Sequence, residues 1–206
     1  MKNMTIWNIA RACKGHLAVP AGKHTGTCPA AGMAVIRGYS GKEAAGIVID
    51  SRKVEPGDIF VAIRGERVDG HQFIREVFDK GAIAVVCEEE PEELPGPCIR
   101  VEDSLAALRQ IAAFYREQMP IPIVGITGSV GKTSTKEFVA SVLAQKYKTH
   151  KTQGNFNNEI GVPLTLLSMP EDTEAAVVEM GINHFGEMHR LSEMVKPDIC
   201  VMTNIG

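Results

Sequence analysis

This 206-residue chain is short of positive charge, of paired cysteines and of long apolar runs, and each shortage closes off a class of function. Lys and Arg number 22 against 25 Asp and Glu, a formal net charge of -3, so there is no electrostatic footprint for nucleic acid or an anionic membrane. Small-molecule chemistry becomes the default. The five cysteines, Cys13, Cys28, Cys87, Cys98 and Cys200, are odd in number and never in CxxC spacing, which indicates neither a disulfide framework nor a zinc site. Buried, reduced thiols are the expectation, and they fit a cytoplasmic protein. Near the start, Asn3, Thr5, Asn8, Arg11 and Lys14 interrupt every apolar run, and no uninterrupted stretch is long enough to span a membrane. The chain reads as soluble and unexported. Internal repeats and low-complexity tracts are also missing; only Glu88-Glu89-Glu90-Pro91-Glu92-Glu93 is biased, and it reads as a solvated acidic loop.

What is present centres on Gly125-Ile126-Thr127-Gly128-Ser129-Val130-Gly131-Lys132-Thr133-Ser134. The stretch follows the apolar run Ile121-Pro122-Ile123-Val124 and precedes a segment in which Phe138, Val142 and Val139, Leu143 recur at helical spacing. Strand, glycine loop, helix is the context of a phosphate site. Glycines 128 and 131 let the backbone curl with its N–H groups inward, and the helix adds the positive end of its dipole. Lys132 would reach the outer phosphates and the Thr133 hydroxyl would ligate Mg²⁺. The spacing departs from GxxxxGK[ST], which requires glycine where this chain has Ile126. A tight strand-to-helix turn with an incidental lysine is the plainer alternative.

The rest of the chain alternates helix and strand, which describes an α/β protein. Thr5 to Ala12 reads as a short helix capped by Thr5, and residues 15–46 as loops around one or two short strands, where His16 and His24 carry no assigned role. Ile47-Val48-Ile49 and Ile59 to Ile63 are strands that deliver the polar loops Ser51-Arg52 and Arg64 to His71. Ser51, Arg52, Arg67, Asp69 and His71 offer donors and acceptors suited to a uracil edge, ribose hydroxyls or a diphosphate, and would equally make a surface ion-pair network. A helix ending at Lys80-Gly81, a strand over 82–87 and a strand over 98–101 complete a first domain to residue 103. Leu105, Leu108, Ile111, Ala112 and Tyr115 then form one apolar helical stripe that opens a second domain, residues 104–206.

In that second domain Tyr147 to Lys151 reads as a strand and Thr152 to Pro163 as a polar loop with three asparagines, while Leu164, Leu167 and Met169 suggest a helix. Ala175 to Val178 is a strand with Glu179 at its C-terminal end, where open parallel sheets bind ligands. Glu179 could share a Mg²⁺ with Thr133, or be a capping or surface acid. His184 lies in a loop before a helix with Met188, Leu191 and Val195 inward, and could touch phosphate or substrate or only shape the loop. The chain stops directly after a strand over 198–203, and a parallel sheet seldom ends there, so a longer protein is expected.

Together these segments resemble the Mur ligases. The resemblance runs through Asp50-Ser51-Arg52, Pro56-Gly57-Asp58-Ile59-Phe60-Val61-Ala62, Asp69-Gly70-His71, the loop from Thr127 to Thr133, Gly154 to Pro163, Glu179-Met180-Gly181 and Thr203-Asn204-Ile205-Gly206. The asparagine stretch and Glu179 to His184 are most similar to the member that adds D-alanyl-D-alanine to UDP-N-acetylmuramoyl-tripeptide. The resemblance implies a monomeric, cytoplasmic, three-domain ATP-dependent amide ligase of peptidoglycan precursor synthesis. It places the UDP end of the substrate on Ser51, Arg52, Arg67, Val68, Asp69, Gly70 and His71. It places Mg·ATP on Thr127, Gly128, Ser129, Val130, Gly131, Lys132, Thr133 and Ser134, with Thr133 and Glu179 as magnesium ligands and Lys132 and Glu179 as catalytic residues. Asn157 and Asn158 come to lie near nucleotide and substrate peptide, and His184 is counted with the substrate contacts on its loop position. Val130 stands where the family often has Asn or Ser. The D-alanyl-D-alanine site, a second metal site and the adenine contacts would lie beyond Gly206, so the 206 residues are expected to bind ligands without completing ligation. The preceding ligase of the same series, which adds the third residue, and a non-catalytic module that binds UDP-muramoyl peptides or ATP are the alternatives.

Overall fold

A computed structural model describes residues 1–20, 41–65, 67–182 and 184–205. His24, Cys28 and most of the expected loops between 15 and 46 lie outside them. The chain forms two compact units, residues 1–111 and 112–206.

The first unit opens with helix α1 (Ile6–Ala12), whose first turn is capped as expected: the Thr5 side chain accepts from the Asn8 amide. Strands β1 (His16–Ala18), β2 (Ile47–Val48), β3 (Ile59–Val61), β4 (Ala84–Cys87) and β5 (Cys98–Arg100) make one sheet in the order β1-β5-β4-β3-β2. The four strands β2 to β5 run parallel and β1 pairs antiparallel to β5, with His16 opposite Arg100. Parallel strands are covered on both faces, and β3 and β4 accordingly carry only buried residues. Phe60, Val85 and Cys87 meet Ile74 and Val77 of helix α2 (Ile74–Asp79) in one apolar cluster. The strand expected over 47–49 is shorter in the structure, because Asp50 turns the chain by accepting from the Arg52 amide and starts a 3₁₀ turn over Ser51–Lys53. A second 3₁₀ turn, Gly70–Phe73, leads into α2 and is started by Asp69 in the same way. Cys13, Cys87 and Cys98 are buried, as expected of structural thiols, whereas Cys200 is exposed.

Helix α3 (Ser104–Glu117) buries Leu108, Ile111, Ala112 and Tyr115, the stripe anticipated from their spacing, and Asp103 caps it by accepting from the Leu105 and Ala106 amides. In the second unit β6 (Ile123–Thr127), β7 (Thr149–Lys151), β8 (Ala175–Glu179) and β9 (Ile199–Met202) form an all-parallel sheet in the order β7-β8-β6-β9. Helix α4 (Lys132–Leu143) follows the glycine loop, α5 (Gly161–Leu167) the asparagine loop, and α6 (Glu187–Val195) the segment after β8. The Tyr115 hydroxyl donates to Met169 O at 2.7 Å, and the Arg116 guanidinium donates to Val195 O, fastening the end of α3 to the chain after α5 and to the end of α6.

One face is turned differently from expectation. Of the two apolar pairs on α4, Val139 and Leu143 pack on the small cluster of Ile126, Ala140 and Val177, but Phe138 and Val142 are 72% and 70% exposed. The helix instead buries Lys136. Strand β9 is largely exposed, with Ile199 at 57%. Among the described residues no helix is long and apolar enough to cross a membrane.

Candidate functional site

Because the second sheet is parallel throughout, the C-terminal ends of β6, β7, β8 and β9 share one edge, and each ends in one of the polar segments singled out in the sequence. The phosphate loop leaves β6 with Gly128 at φ +134° and Gly131 at φ +85°, both in the left-handed region that favours glycine. Gly131 is the residue before α4, and no side chain caps the helix, so its first amides are left for another acceptor. The loop rests on the chain after β9: Ser129 N–H donates to Asn204 O at 2.9 Å, and the Thr203 hydroxyl donates to Val130 O at 2.6 Å. A Cβ at Gly128 would lie 2.3 Å from Thr203 Oγ1. Thr203 is a loop-supporting residue that sequence reasoning saw only as part of a resemblance; its bond to residue 130 crosses 73 positions and has no local signal. Lys132 Nζ donates to Gly128 O at 2.6 Å, so the lysine folds over its own loop.

Under the loop lies Glu179, only 1% exposed at the end of β8. Its backbone N–H donates to Thr152 Oγ1 at 2.9 Å, and its Oε1 accepts from Asn157 Nδ2 at 2.9 Å and lies 3.3 Å from the Thr133 hydroxyl. Three of the anticipated residues, Thr133, Asn157 and Glu179, are thus brought together from α4, the asparagine loop and β8. The other carboxylate oxygen, Oε2, is buried with no hydrogen-bond partner, and so is Thr127 Oγ1 one strand away. A buried polar atom left unpaired costs about 1–3 kcal/mol, so both atoms have bonding capacity that a ligand could take up. A buried carboxylate beside the first-turn Thr hydroxyl fits a magnesium ion that takes its other ligands from phosphate and water. Among the described residues no group of three or more His, Cys, Asp or Glu side chains could hold a metal by itself.

The neighbouring residues play supporting parts. Asn157 O accepts from Gly181 N at 2.6 Å, stapling the asparagine loop to the segment after β8. Asn158 Oδ1 accepts from Gly161 N at 2.8 Å and Ile160 N at 3.2 Å, so its carbonyl starts α5. His184 is exposed, and its backbone exchanges hydrogen bonds with Glu187 at the start of α6. Ser134 lies within α4, one residue beyond Thr133. Lys136 is the functional-site residue that sequence reasoning missed. Only 1% of its side chain is exposed, and its ammonium lies 3.2 Å from Gly154 O, 3.3 Å from Glu137 Oε1 and 3.8 Å from Glu179 Oε2.

In the first unit the parallel strands β2, β3 and β4 likewise send their C-terminal loops to one edge. Ser51 is buried and its carbonyl accepts from Lys80 Nζ at 2.8 Å. Arg52 is exposed and grips Asp50 through two 2.8 Å bonds, which hold the Asp50 carboxyl down at about 2. The loop after β3 is a network: Arg64 reaches Asp69, Glu88 and Glu89, and Asp69 Oδ1 lies 2.6 Å from His71 Nδ1. Glu88 N–H donates to His71 Nε2 at 2.9 Å, so that nitrogen is the acceptor and Nδ1 carries the proton given to Asp69. Both ring nitrogens of His71 therefore serve the loop itself, and the imidazole organises the edge. Gly70 is buried with Ile63 N 2.9 Å from where its Cβ would be. Arg67 and Val68 are exposed at the loop tip. Glu88 is not simply a solvated acid of the acidic run, since its Oε1 also accepts from Ser104 N at 2.9 Å.

Comparison with known proteins supplies the family. The profile of the Mur ligase family, catalytic domain, matches residues 43–116, and that of the Mur ligase middle domain matches residues 126–206. A Bacillus subtilis UDP-N-acetylmuramoyl-tripeptide--D-alanyl-D-alanine ligase is 42% identical over 211 residues, covering 100% of this chain and 42% of the relative. The chain thus spans less than half the length of that relative. A MurF crystal structure from Acinetobacter baumannii superposes with a TM-score of 0.81 at 34% identity, over 98% of this chain and 40% of the other. MurF from Thermotoga maritima, solved in complex with ADP, gives a TM-score of 0.72 at 37% identity over 78% of this chain and 37% of the other.

Proposed function

Since this chain belongs to the Mur ligase family, we propose that it is the substrate- and nucleotide-holding part of an ATP-dependent ligase that joins D-alanyl-D-alanine to UDP-N-acetylmuramoyl-tripeptide. The observation that carries this reading is the cluster under the glycine loop, where Thr133, Asn157 and Glu179, whose Oε2 has no hydrogen-bond partner, converge beside a helix N-terminus. That combination suits a nucleoside triphosphate with its metal. The relatives' substrates and the Thermotoga ADP complex support the choice of ligands.

In this reading residues 104–206 hold Mg·ATP and residues 1–103 hold the UDP end. The amides of the Thr127 to Thr133 loop and of the first turn of α4 take the phosphates, and the Lys132 ammonium exchanges Gly128 O for a phosphate oxygen. Thr133 and Glu179 would hold magnesium, which neutralises charge on the phosphoryl group in transfer. The tripeptide carboxylate attacks the γ-phosphorus, ADP leaves, and the amine of D-alanyl-D-alanine displaces phosphate from the acyl phosphate. Activation is required because a carboxylate is a poor acyl donor. Ser51, Arg52 and the Arg67 to His71 loop, on one edge of the first sheet, receive the uridine diphosphate; Arg52 and Arg67 supply the charge, and Asp69 and His71 the shape.

Binding of each ligand to wild type and Lys132→Ala tests the assignment. Mg·ATP affinity falls by a factor of about 100 or more, as expected for loss of a charge-assisted contact, while affinity for the UDP-tripeptide stays within about twofold. Equal loss of both in a folded variant refutes the two-site reading.

A further inference from the structure

Lysine is among the residues least often fully buried, and replacing a buried ion pair with apolar groups is commonly neutral or stabilising. Lys136 is buried all the same, in the second turn of α4, one turn beyond the phosphate-loop lysine. Its contacts show what the charge is doing. The 3.2 Å contact to Gly154 O is a hydrogen bond to the head of the asparagine loop, and a 3.3 Å ion pair ties it to Glu137, which also pairs with Lys151 on β7. Its third neighbour, Glu179 Oε2, is 3.8 Å away, beyond hydrogen-bond range. The ammonium therefore balances the charge of Glu179 without occupying the lone pairs of that oxygen, the same oxygen that has no other partner.

Resting on the nucleotide reading above, we propose that Lys136 is a positioning residue for the metal-nucleotide site. It keeps the Glu179 carboxylate aimed with Oε2 uncommitted, and holds the asparagine loop against β8 so that Asn157 can fix Oε1. Lysines 132 and 136 then divide the work on one helix face. The first meets the ligand; the second holds the carboxylate that meets the metal. A packing role alone would be filled as well by methionine, and would have no reason to reach across to Glu137, Gly154 and Glu179 together.

The test separates charge from packing. ADP binding is measured calorimetrically in excess magnesium and in EDTA, for wild type, Lys136→Met and Lys136→Arg. In Lys136→Met the magnesium-dependent gain in ADP affinity falls by about tenfold, while metal-free ADP affinity stays within about twofold. Lys136→Arg, which keeps the cation, retains more of the gain than Lys136→Met. An unchanged magnesium dependence in Lys136→Met, or equal loss with and without magnesium, overturns the proposal. A second measurement needs no ligand: Lys136→Met lowers the melting temperature at least twice as much in wild type as in a Glu179→Gln background, where no charge is left to balance. Equal losses in the two backgrounds, or failure of both variants to fold, assign Lys136 to the core alone and overturn it. Wild type whose ADP affinity ignores magnesium refutes the proposed function instead, and the thermal cycle still decides the Lys136–Glu179 coupling.

Discussion

Replacing Gly128 by alanine puts the architecture of the phosphate loop to a quantitative test. Two independent penalties act at this position. The backbone has φ +134°, a region that L side chains rarely adopt, and holding a residue there costs about 1–3 kcal/mol. The new methyl would also sit 2.3 Å from Thr203 Oγ1 and 2.9 Å from both Asn204 N and Asn204 O, and overpacking of this kind costs a further 1–3 kcal/mol or so. The sum is about 2–6 kcal/mol. Gly131 is the matched control, because it shares the positive φ, at +85°, but its nearest neighbour would be Thr203 Cβ at 3.9 Å. Gly131→Ala therefore carries the strain without the overlap. Urea unfolding of the two variants, followed on the transition of the 112–206 unit, is expected to show Gly128→Ala the less stable by about 1–3 kcal/mol. Adding Thr203→Ala recovers part of that difference only, since the Asn204 backbone stays where it is. Equal losses at 128 and 131, or full rescue by Thr203→Ala, would refute the close approach of β9's exit to the loop.

Other expectations follow from single contacts. His150 donates from Nε2 to Thr165 O at 2.9 Å, and burial pushes its pKa below the ordinary 6.5. The unfolded chain therefore takes up this proton first, and stability is full above pH 6.5 and lost as pH falls from there toward the lower folded value. NMR titration should place the His150 midpoint below 6.5, and His150→Gln should flatten the slope of stability between pH 7 and 5 or thereabouts. Asn158→Ala removes the acceptor for Gly161 N and should cost about 1 kcal/mol of stability, with Asn158→Asp close to wild type in urea unfolding.

What could be read without coordinates was local. The glycine loop between an apolar strand and a helix, the Thr5 cap and the Leu105 to Tyr115 stripe each depend on residues a few positions apart, and all were legible. The shared edge of β6, β7, β8 and β9 was legible in outline, because alternating strands and helices imply a parallel sheet. The orientation of α4 was not. Helical spacing shows that Phe138, Val139, Val142 and Leu143 are periodic, but two faces fit that period, and the sheet took the one bearing Val139 and Leu143. Lys136 was invisible for the same reason, since a lysine in a helix reads as solvated until Gly154 and Glu179, 18 and 43 positions away, are seen around it. For His71 the residue type was right for a ligand contact, yet Asp69 and Glu88 engage both nitrogens.

An amide has a single proton to give, and Ser129 gives its proton to Asn204 O. A phosphate oxygen that claimed this proton would evict a carbonyl belonging to the chain after β9. Arrival of the nucleotide would then be felt as a release at residue 204, a mechanical signal carried by one exchanged bond. The Thr203 hydroxyl, still latched to Val130 O, would act as the pivot about which that segment swings.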